Sequence, residues 1–136
     1  MAPTFLPQSN GWLPYFLVFT GASALIHSAV CYVSPPSTAL AIFSGPNRPT
    51  PTSLLAHVYA TKNMYTGAIR LYAAYHIANA QLYNLAAFTF VGVLGLNVSE
   101  MLLFGTVRMR EGLWPFVTAG TGLAWMVLQR EWYLGA

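Results

Sequence analysis

The sequence predicts an all-α integral membrane protein whose four transmembrane helices form one small bundle. Charged residues make up only 7% of the 136 residues and hydrophobic residues make up 56%, whereas soluble domains carry about a quarter charged residues. A soluble chain this poor in charge would expose large apolar patches and aggregate, because a small domain leaves much of its surface in water. Four segments also have the roughly 20 residues that a helix needs to cross a bilayer. These observations favour lipid as the solvent.

The four predicted spans cover residues 13–33, 53–75, 81–103 and 113–129, within a single membrane domain of residues 1–136. The second span is the least apolar. A proline-rich connection, residues 34–52, separates it from the first span, because such a cluster of prolines breaks helices and strands alike. The other two connections are short, so spans two and three should form one helical hairpin and spans three and four another.

Small residues recur at four-residue spacing in three of the spans. The pairs are Ala24 and Ser28, Gly95 and Ser99, and Gly120 and Ala124. In lipid, such pairs let helix backbones approach closely. We expect them to pack helices within the bundle, and contact with a partner helix is the alternative.

Three charged residues, Lys62, Arg70 and Glu100, fall inside predicted spans. Such residues usually face the bundle interior, a partner or water. If the hairpin of spans two and three turns near residues 77 and 78, Arg70 is level with residue 85 and Glu100 with residue 55, roughly 20 Å apart along the helix axis. We therefore expect no Arg70–Glu100 pair within one chain. Glu100 should lie near His57, within reach of Lys62 or Arg108.

The sequence predicts no catalytic residue, metal site, cofactor or nucleic-acid partner. His27, His57 and His76 are thirty and nineteen residues apart, which is not the close spacing on helices that a metal site needs. No dinucleotide-binding loop follows a strand, and no Ser/His/Asp or Cys/His arrangement is legible. The basic residues are scattered and form no patch of the kind that binds nucleic acid.

Seven short segments together carry a resemblance to a known family. They are Phe43-Ser44-Gly45-Pro46, Ala56-His57-Val58-Tyr59, Ile69-Arg70, Asn79-Ala80-Gln81-Leu82-Tyr83, Thr89-Phe90, Ser99-Glu100 and Phe104-Gly105-Thr106. These segments resemble the ergosterol biosynthetic protein 28 family, over a region from the first span to the start of the fourth. The resemblance implies a four-span, multi-pass protein of the endoplasmic reticulum membrane that acts as a non-catalytic scaffold. It also implies three partners in sterol C-4 demethylation: the sterol C-4 methyl oxidase, the decarboxylating sterol-4-alpha-carboxylate 3-dehydrogenase and the 3-ketosteroid reductase.

Seven residues are the candidates for structural or partner-binding roles: His57, Lys62, Arg70, Asn79, Tyr83, Ser99 and Glu100. The family usually has an aromatic residue in place of Lys62, so no role carries over to this lysine. Arg70 and Glu100 are expected to anchor helix packing or a partner helix at opposite depths. Because they should not meet within one chain, a homodimer is a further expectation. Membrane lipid is an expected partner, and a sterol between the spans is left open.

Two other functions are compatible with part of the sequence. A small membrane enzyme of the sterol isomerase type would use Glu100 as a general acid, which requires a raised carboxyl pKa in an apolar site. A small channel or transporter would use Lys62 and the nearby polar residues. The resemblance favours the scaffold over both.

Overall fold

The computed structural model describes residues 5–135, and this part of the chain contains six helices and no strand. The helices are α1 (Leu13–Val33), α2 (Pro36–Ala39), α3 (Ser53–Tyr75), α4 (Ala80–Leu102), α5 (Met109–Leu128) and α6 (Arg130–Leu134). The all-α prediction is therefore confirmed for these residues. Helices α1 and α3 cover the same residues as the first two predicted spans, and α4 lies one residue earlier than the third.

Two of the long helices begin at side-chain caps. The hydroxyl oxygen of Thr52 accepts a hydrogen bond from the backbone N–H of Leu55 at the start of α3, over 3.1 Å. The side-chain carbonyl of Asn79 accepts from the N–H of Leu82 at the start of α4, over 3.0 Å. Each cap satisfies a backbone donor that the first turn of a helix leaves without an intrahelical partner.

Helix α5 begins four residues before the predicted boundary at residue 113. Arg110 and Glu111 lie in its first turn, although the end of the apolar pattern had assigned both to the connection. A carboxylate near a helix N-terminus is stabilised by the backbone dipoles, so the helix extends beyond its apolar part. This shift places Glu111 on the bundle instead of in a loop.

The helices pack as two pairs, α1 with α3 and α4 with α5, and α3 joins the pairs by packing on α4. Helices α1 and α3 approach each other closely at Gly21 and Gly67, where a Cβ atom on Gly67 would lie 2.7 Å from the carbonyl oxygen of Gly21. Farther along the same pair, the hydroxyl of Ser28 donates to the carbonyl oxygen of Ala60 over 2.8 Å. In contrast, a Cβ added at Gly95 or Gly120 would have no described atom within 4 Å. The expectation of packing within the bundle is wrong at these two glycines.

Two apolar cores hold the bundle together, one at each end. The larger lies toward the chain termini and includes Leu13, Leu17, Tyr83, Phe90 and Met126. The smaller lies beside the proline-rich connection and consists of Cys31, Ala39, Leu40, Ala56 and Ala60. It includes residues in and next to α2, so this part of the connection folds onto α1 and α3.

Two helices in the described residues, α1 and α4, are long and apolar enough by composition to cross a membrane. Only 22% and 17% of their most apolar segments are buried within the chain, so most residues of these segments are at least partly exposed. Such a surface suits lipid and would be a liability in water. The two helices suggest a membrane protein, and the spans assigned to α3 and α5 remain predictions.

Candidate functional site

A cavity of about 510 Å³ lies between the two helix pairs. Its walls come from α1, α3, α4 and α5, and the segment around α2 covers the end beside the proline-rich connection. Phe19 and Trp114 line the cavity and are 56% and 69% exposed, so it opens on the outer surface of the bundle. The volume falls in the range of about 300–1,000 Å³ that small-molecule sites occupy.

One face of α3 supplies more polar side chains to this cavity than any other helix does. Tyr59, Lys62, Asn63, Thr66 and Arg70 follow one another at intervals of three or four residues, or are adjacent, so they share a face of the helix. All five line the cavity. Asn63, Thr66 and Arg70 are buried, so this polar stripe lies in the interior of the bundle.

The guanidinium group of Arg70 lies at the end of the cavity near the larger core. Its Nε donates to the hydroxyl oxygen of Thr89 on α4 over 2.9 Å. Its Cζ lies 3.9 Å from the centre of the Phe90 ring, in a cation–π contact. The residue is only 6% exposed, and its Nη2 is buried without a hydrogen-bond partner in the described residues. A buried donor left unpaired is costly, and more so on a charged group.

Lys62, Asn63 and His27 form a second polar group, nearer the proline-rich connection. The ammonium of Lys62 donates to Oδ1 of Asn63 over 3.3 Å and lies 5.0 Å from the centre of the Tyr59 ring. Nδ2 of Asn63 lies 2.8 Å from Nδ1 of His27 on α1 and donates to it. These contacts join α1 to α3 and hold the lysine at the cavity wall.

Glu111 supplies the acidic group of the cavity, from the first turn of α5. Its Oε2 is buried and has no hydrogen-bond partner in the described residues. The depth of Glu111 follows from two contacts. Arg70 on α3 bonds to Thr89 on α4, and these two helices run in opposite directions, so Lys62, eight residues before Arg70, is level with about residue 97. At that level, Nδ2 of Asn97 donates to the carbonyl oxygen of Gly112 on α5 over 2.8 Å. Glu111 and Lys62 therefore lie at a similar depth.

Glu100 lies outside this cavity. Its Oε2 accepts a hydrogen bond from the hydroxyl of Thr106, and its backbone carbonyl accepts from the N–H of Thr106 over 3.0 Å. Neither Lys62 nor Arg108, the partners expected from the sequence, provides that bond. Glu100 and Lys62 both line a recess of about 20 Å³, which is far smaller than a substrate pocket. Arg70 and Glu100 do not meet within the chain, as the register argument predicts.

The remaining predicted residues are also outside the cavity, and each makes a contact with another part of this chain. His57 stacks on Tyr32 with ring centres 4.2 Å apart, and Asn79 caps α4. The hydroxyl of Tyr83 donates to the carbonyl oxygen of Met126 over 2.6 Å, tying α4 to α5. The hydroxyl of Ser99 donates to the carbonyl oxygen of Leu96 in its own helix.

Of the seven predicted residues, only Lys62 and Arg70 therefore share the cavity. Sequence reasoning missed Asn63, Thr66 and Glu111. It considered His27 only to reject it as a metal ligand in favour of a hydrogen-bonded polar residue, and it did not place this histidine in a site. The signal for the first two was their helical spacing from Lys62 and Arg70. Within residues 5–135, no three His, Cys, Asp or Glu side chains come together in a way that could hold a metal ion.

Comparison with known proteins identifies the family to which this sequence is similar. A family model described as "Erg28 like protein" matches residues 13–124. The ergosterol biosynthetic protein 28 of Candida albicans is 34% identical over 133 residues, which cover 96% of this chain and 95% of that protein. The proteins of the same name from Saccharomyces cerevisiae and Gibberella zeae are 29% and 26% identical. They match 97% and 96% of this chain, and 89% and 95% of their own lengths. No solved structure gives a significant match.

These matches extend over nearly the whole chain, and they confirm the resemblance that the quoted segments carry. The chain belongs to the ergosterol biosynthetic protein 28 family, which is named for ergosterol biosynthesis.

Proposed function

We propose that this protein is a non-catalytic scaffold of ergosterol biosynthesis that spans the endoplasmic reticulum membrane with α1, α3, α4 and α5. It would hold together the sterol C-4 methyl oxidase, the decarboxylating sterol-4-alpha-carboxylate 3-dehydrogenase and the 3-ketosteroid reductase. Tethering raises the effective concentration of one enzyme near the next without any new chemistry. That gain is large for an intermediate too insoluble to diffuse through water.

The observation that carries this proposal is an open stripe along the outer face of α4. Leu85, Phe88, Gly92, Gly95 and Ser99 lie at intervals of three or four residues and therefore share one face. Leu85 and Phe88 are exposed, and a Cβ added at Gly92 or Gly95 would have no described atom within 4 Å. Glycines on a lipid-exposed face allow the backbone of a neighbouring transmembrane helix to approach closely.

The polar candidates support the same role in a different way. Arg70, Tyr83 and Asn79 bond to other parts of this chain, so we assign them to holding the bundle in shape. We assign Ser99 to the α4 stripe, and His57, Lys62 and Glu100 to fixing the helix ends and the cavity wall. On this assignment, none of the seven residues carries out a reaction.

The test is a pull-down of the tagged protein from yeast microsomes in mild detergent, with recovery of each of the three enzymes measured by mass spectrometry. Gly95→Leu fills the α4 stripe and is expected to reduce recovery of at least one enzyme by about tenfold. Gly120→Leu is the matched control, because Gly120 is an open helical glycine on α5, away from the stripe. It should leave recovery unchanged.

Three results would count against the proposal. Full recovery of all three enzymes with Gly95→Leu would mean that the α4 stripe does not bind any of them. Recovery of only a second copy of this chain, shown with two different tags, would indicate a homodimer instead. Conversion of a sterol by the purified protein alone would show an enzyme, such as an isomerase that depends on Glu100.

A further inference from the structure

The cavity between the helix pairs has a charge distribution that nothing in the scaffold role requires. Its wall is largely apolar, yet it holds the buried guanidinium of Arg70, the ammonium of Lys62 and the carboxylate of Glu111. Two of these groups, at Nη2 of Arg70 and Oε2 of Glu111, carry buried atoms without hydrogen-bond partners in the described residues. Buried charges are normally paired, because desolvation is otherwise too costly.

The charges are distributed unequally along the cavity. Lys62 and Glu111 lie at a similar depth near the proline-rich connection, where opposite charges partly offset each other. Arg70 lies two helical turns from Lys62 along α3, roughly 12 Å along the axis. Neither Arg70 nor Lys62 donates to a carboxylate in the described residues, since their hydrogen bonds go to Thr89 and Asn63. The end of the cavity at Arg70 is therefore the electropositive end.

We propose that this cavity binds an apolar molecule that carries one carboxylate, with the carboxylate at Arg70 and the apolar body extending toward Lys62. A guanidinium is the best match in proteins for a carboxylate, because its donors lie in one plane at the spacing of the two oxygens. Thr89 occupies Nε and the Phe90 ring covers the guanidinium face, which fixes the orientation of the group before a ligand arrives. The Glu111 carboxylate repels an anion at the opposite end and so sets the direction of binding.

The route of entry suits a ligand dissolved in the membrane. Helix α1 packs mainly on α3, and α5 packs mainly on α4, so α1 and α5 contact each other only weakly along the seam between them. The exposed rings of Phe19 on α1 and Trp114 on α5 flank this seam. An amphiphile can enter sideways from lipid without crossing water.

A steroid acid and a fatty acid share this chemistry, and a binding experiment separates them. The full chain is placed in phosphatidylcholine nanodiscs at a pH where the free acids are ionised. Equilibrium binding is then measured for radiolabelled cholanic acid and oleic acid, each against its methyl ester. We expect at least one acid to bind about tenfold more tightly than its own ester, a difference in free energy of about 1.4 kcal/mol. Preference for cholanic acid identifies a steroid acid as the ligand, and preference for oleic acid identifies a fatty acid.

Four variants test the geometry. Arg70→Gln should abolish the preference for acid over ester, and Arg70→Lys should keep the preference with weaker binding, because it keeps the charge and loses the planar donors. Glu111→Gln should keep or increase the preference. Ala24→Phe, which adds a ring to the cavity from α1 and keeps the arginine, should weaken binding of acid and ester alike.

The proposal is overturned if the wild-type protein binds neither acid, or binds acid and ester equally well. It is also overturned if Arg70→Gln retains the preference. If Arg70→Gln is not recovered as folded protein, the Arg70→Lys and Ala24→Phe variants decide: unchanged binding of the preferred acid in both would place the ligand elsewhere. None of these outcomes depends on the sterol enzymes, so failure of the scaffold proposal and failure of this one are distinguishable.

Discussion

Nε of Arg70 on α3 donates a hydrogen bond to the hydroxyl oxygen of Thr89 on α4, over 2.9 Å, in the interior of the bundle. The Thr89 hydroxyl in turn donates to the carbonyl oxygen of Ala86 over 2.6 Å. This chain of bonds links the two helix pairs through the interior of the bundle. It places Arg70 opposite Thr89 and so relates depths along α3 to depths along α4.

Thr89→Val should destabilise the bundle, because valine keeps the shape of threonine and removes the acceptor for Arg70. A buried donor that loses its partner costs about 1–3 kcal/mol. Thermal unfolding in mild detergent, followed by circular dichroism, should show a lower Tm. Thr61→Val is the matched control, since the Thr61 hydroxyl donates only within its own helix, to His57. Equal Tm values for the two variants would mean that the Arg70–Thr89 bond contributes nothing to packing.

Gly67→Ala should be the more damaging of two alanine substitutions at helical glycines. Its Cβ would lie 2.7 Å from the carbonyl oxygen of Gly21 and 2.8 Å from Cγ of Leu25, so α1 would have to move. Overpacking of this kind costs about 1–3 kcal/mol. Gly120→Ala, where the added Cβ meets open space, should keep or raise the Tm because alanine favours a helix by about 1 kcal/mol. A stable Gly67→Ala variant would contradict the close crossing of α1 and α3.

Asn79→Ala should weaken the start of α4 by about 1 kcal/mol, because the side chain caps the helix through Leu82. Asn79→Ser should restore most of the loss, since serine caps helices about as well. The same unfolding measurement applies, with recovery of the sterol enzymes as a second readout. If serine restores the Tm but not the recovery, Asn79 contacts a partner in addition to capping α4.

The bounds of α1 and α3 could be predicted from the sequence, because each is an uninterrupted, mainly apolar segment that ends near prolines or polar residues. Residues 13–33 and 53–75 were assigned from hydrophobicity, and the helices begin and end there. The start of α5 was not predictable in this way. Arg110 and Glu111 interrupt the apolar pattern without interrupting the helix, since a carboxylate in the first turn is stabilised by the backbone dipoles.

The cavity could be predicted only in part, because it depends on which helices pair. The sequence marks Lys62 and Arg70 as unusual, and it places Arg70 and Glu100 at different depths, as observed. It does not show that α1 packs on α3 through Gly21 and Gly67, a pairing that leaves a space between the two helix pairs. It also hides Glu111, which belongs to the site only because α5 begins early. The pairing of α1 with α3 depends on contacts between residues far apart in the sequence, which local patterns do not predict.

Glu100 is expected to act through its hydrogen-bonding oxygen and not through its charge. Its Oε2 accepts from the Thr106 hydroxyl, and its backbone carbonyl accepts from Thr106 and Val107, at 3.0 and 3.3 Å. These bonds hold the turn between α4 and α5, onto which the backbone of Gly45 and Asn47 folds through hydrogen bonds to Thr106 and Gly105.

Glu100→Gln should therefore leave both the Tm and the recovery of partner enzymes close to wild type, since the amide oxygen can still accept from Thr106. Glu100→Ala and Thr106→Val should each lower stability by about 1 kcal/mol, the usual net worth of one such bond. The double variant should cost little more than either single variant, because both remove the same interaction. A Glu100→Gln variant with a normal Tm but poor recovery of the enzymes would instead show that the negative charge itself faces a partner, and additive losses in the double variant would separate Glu100 from Thr106.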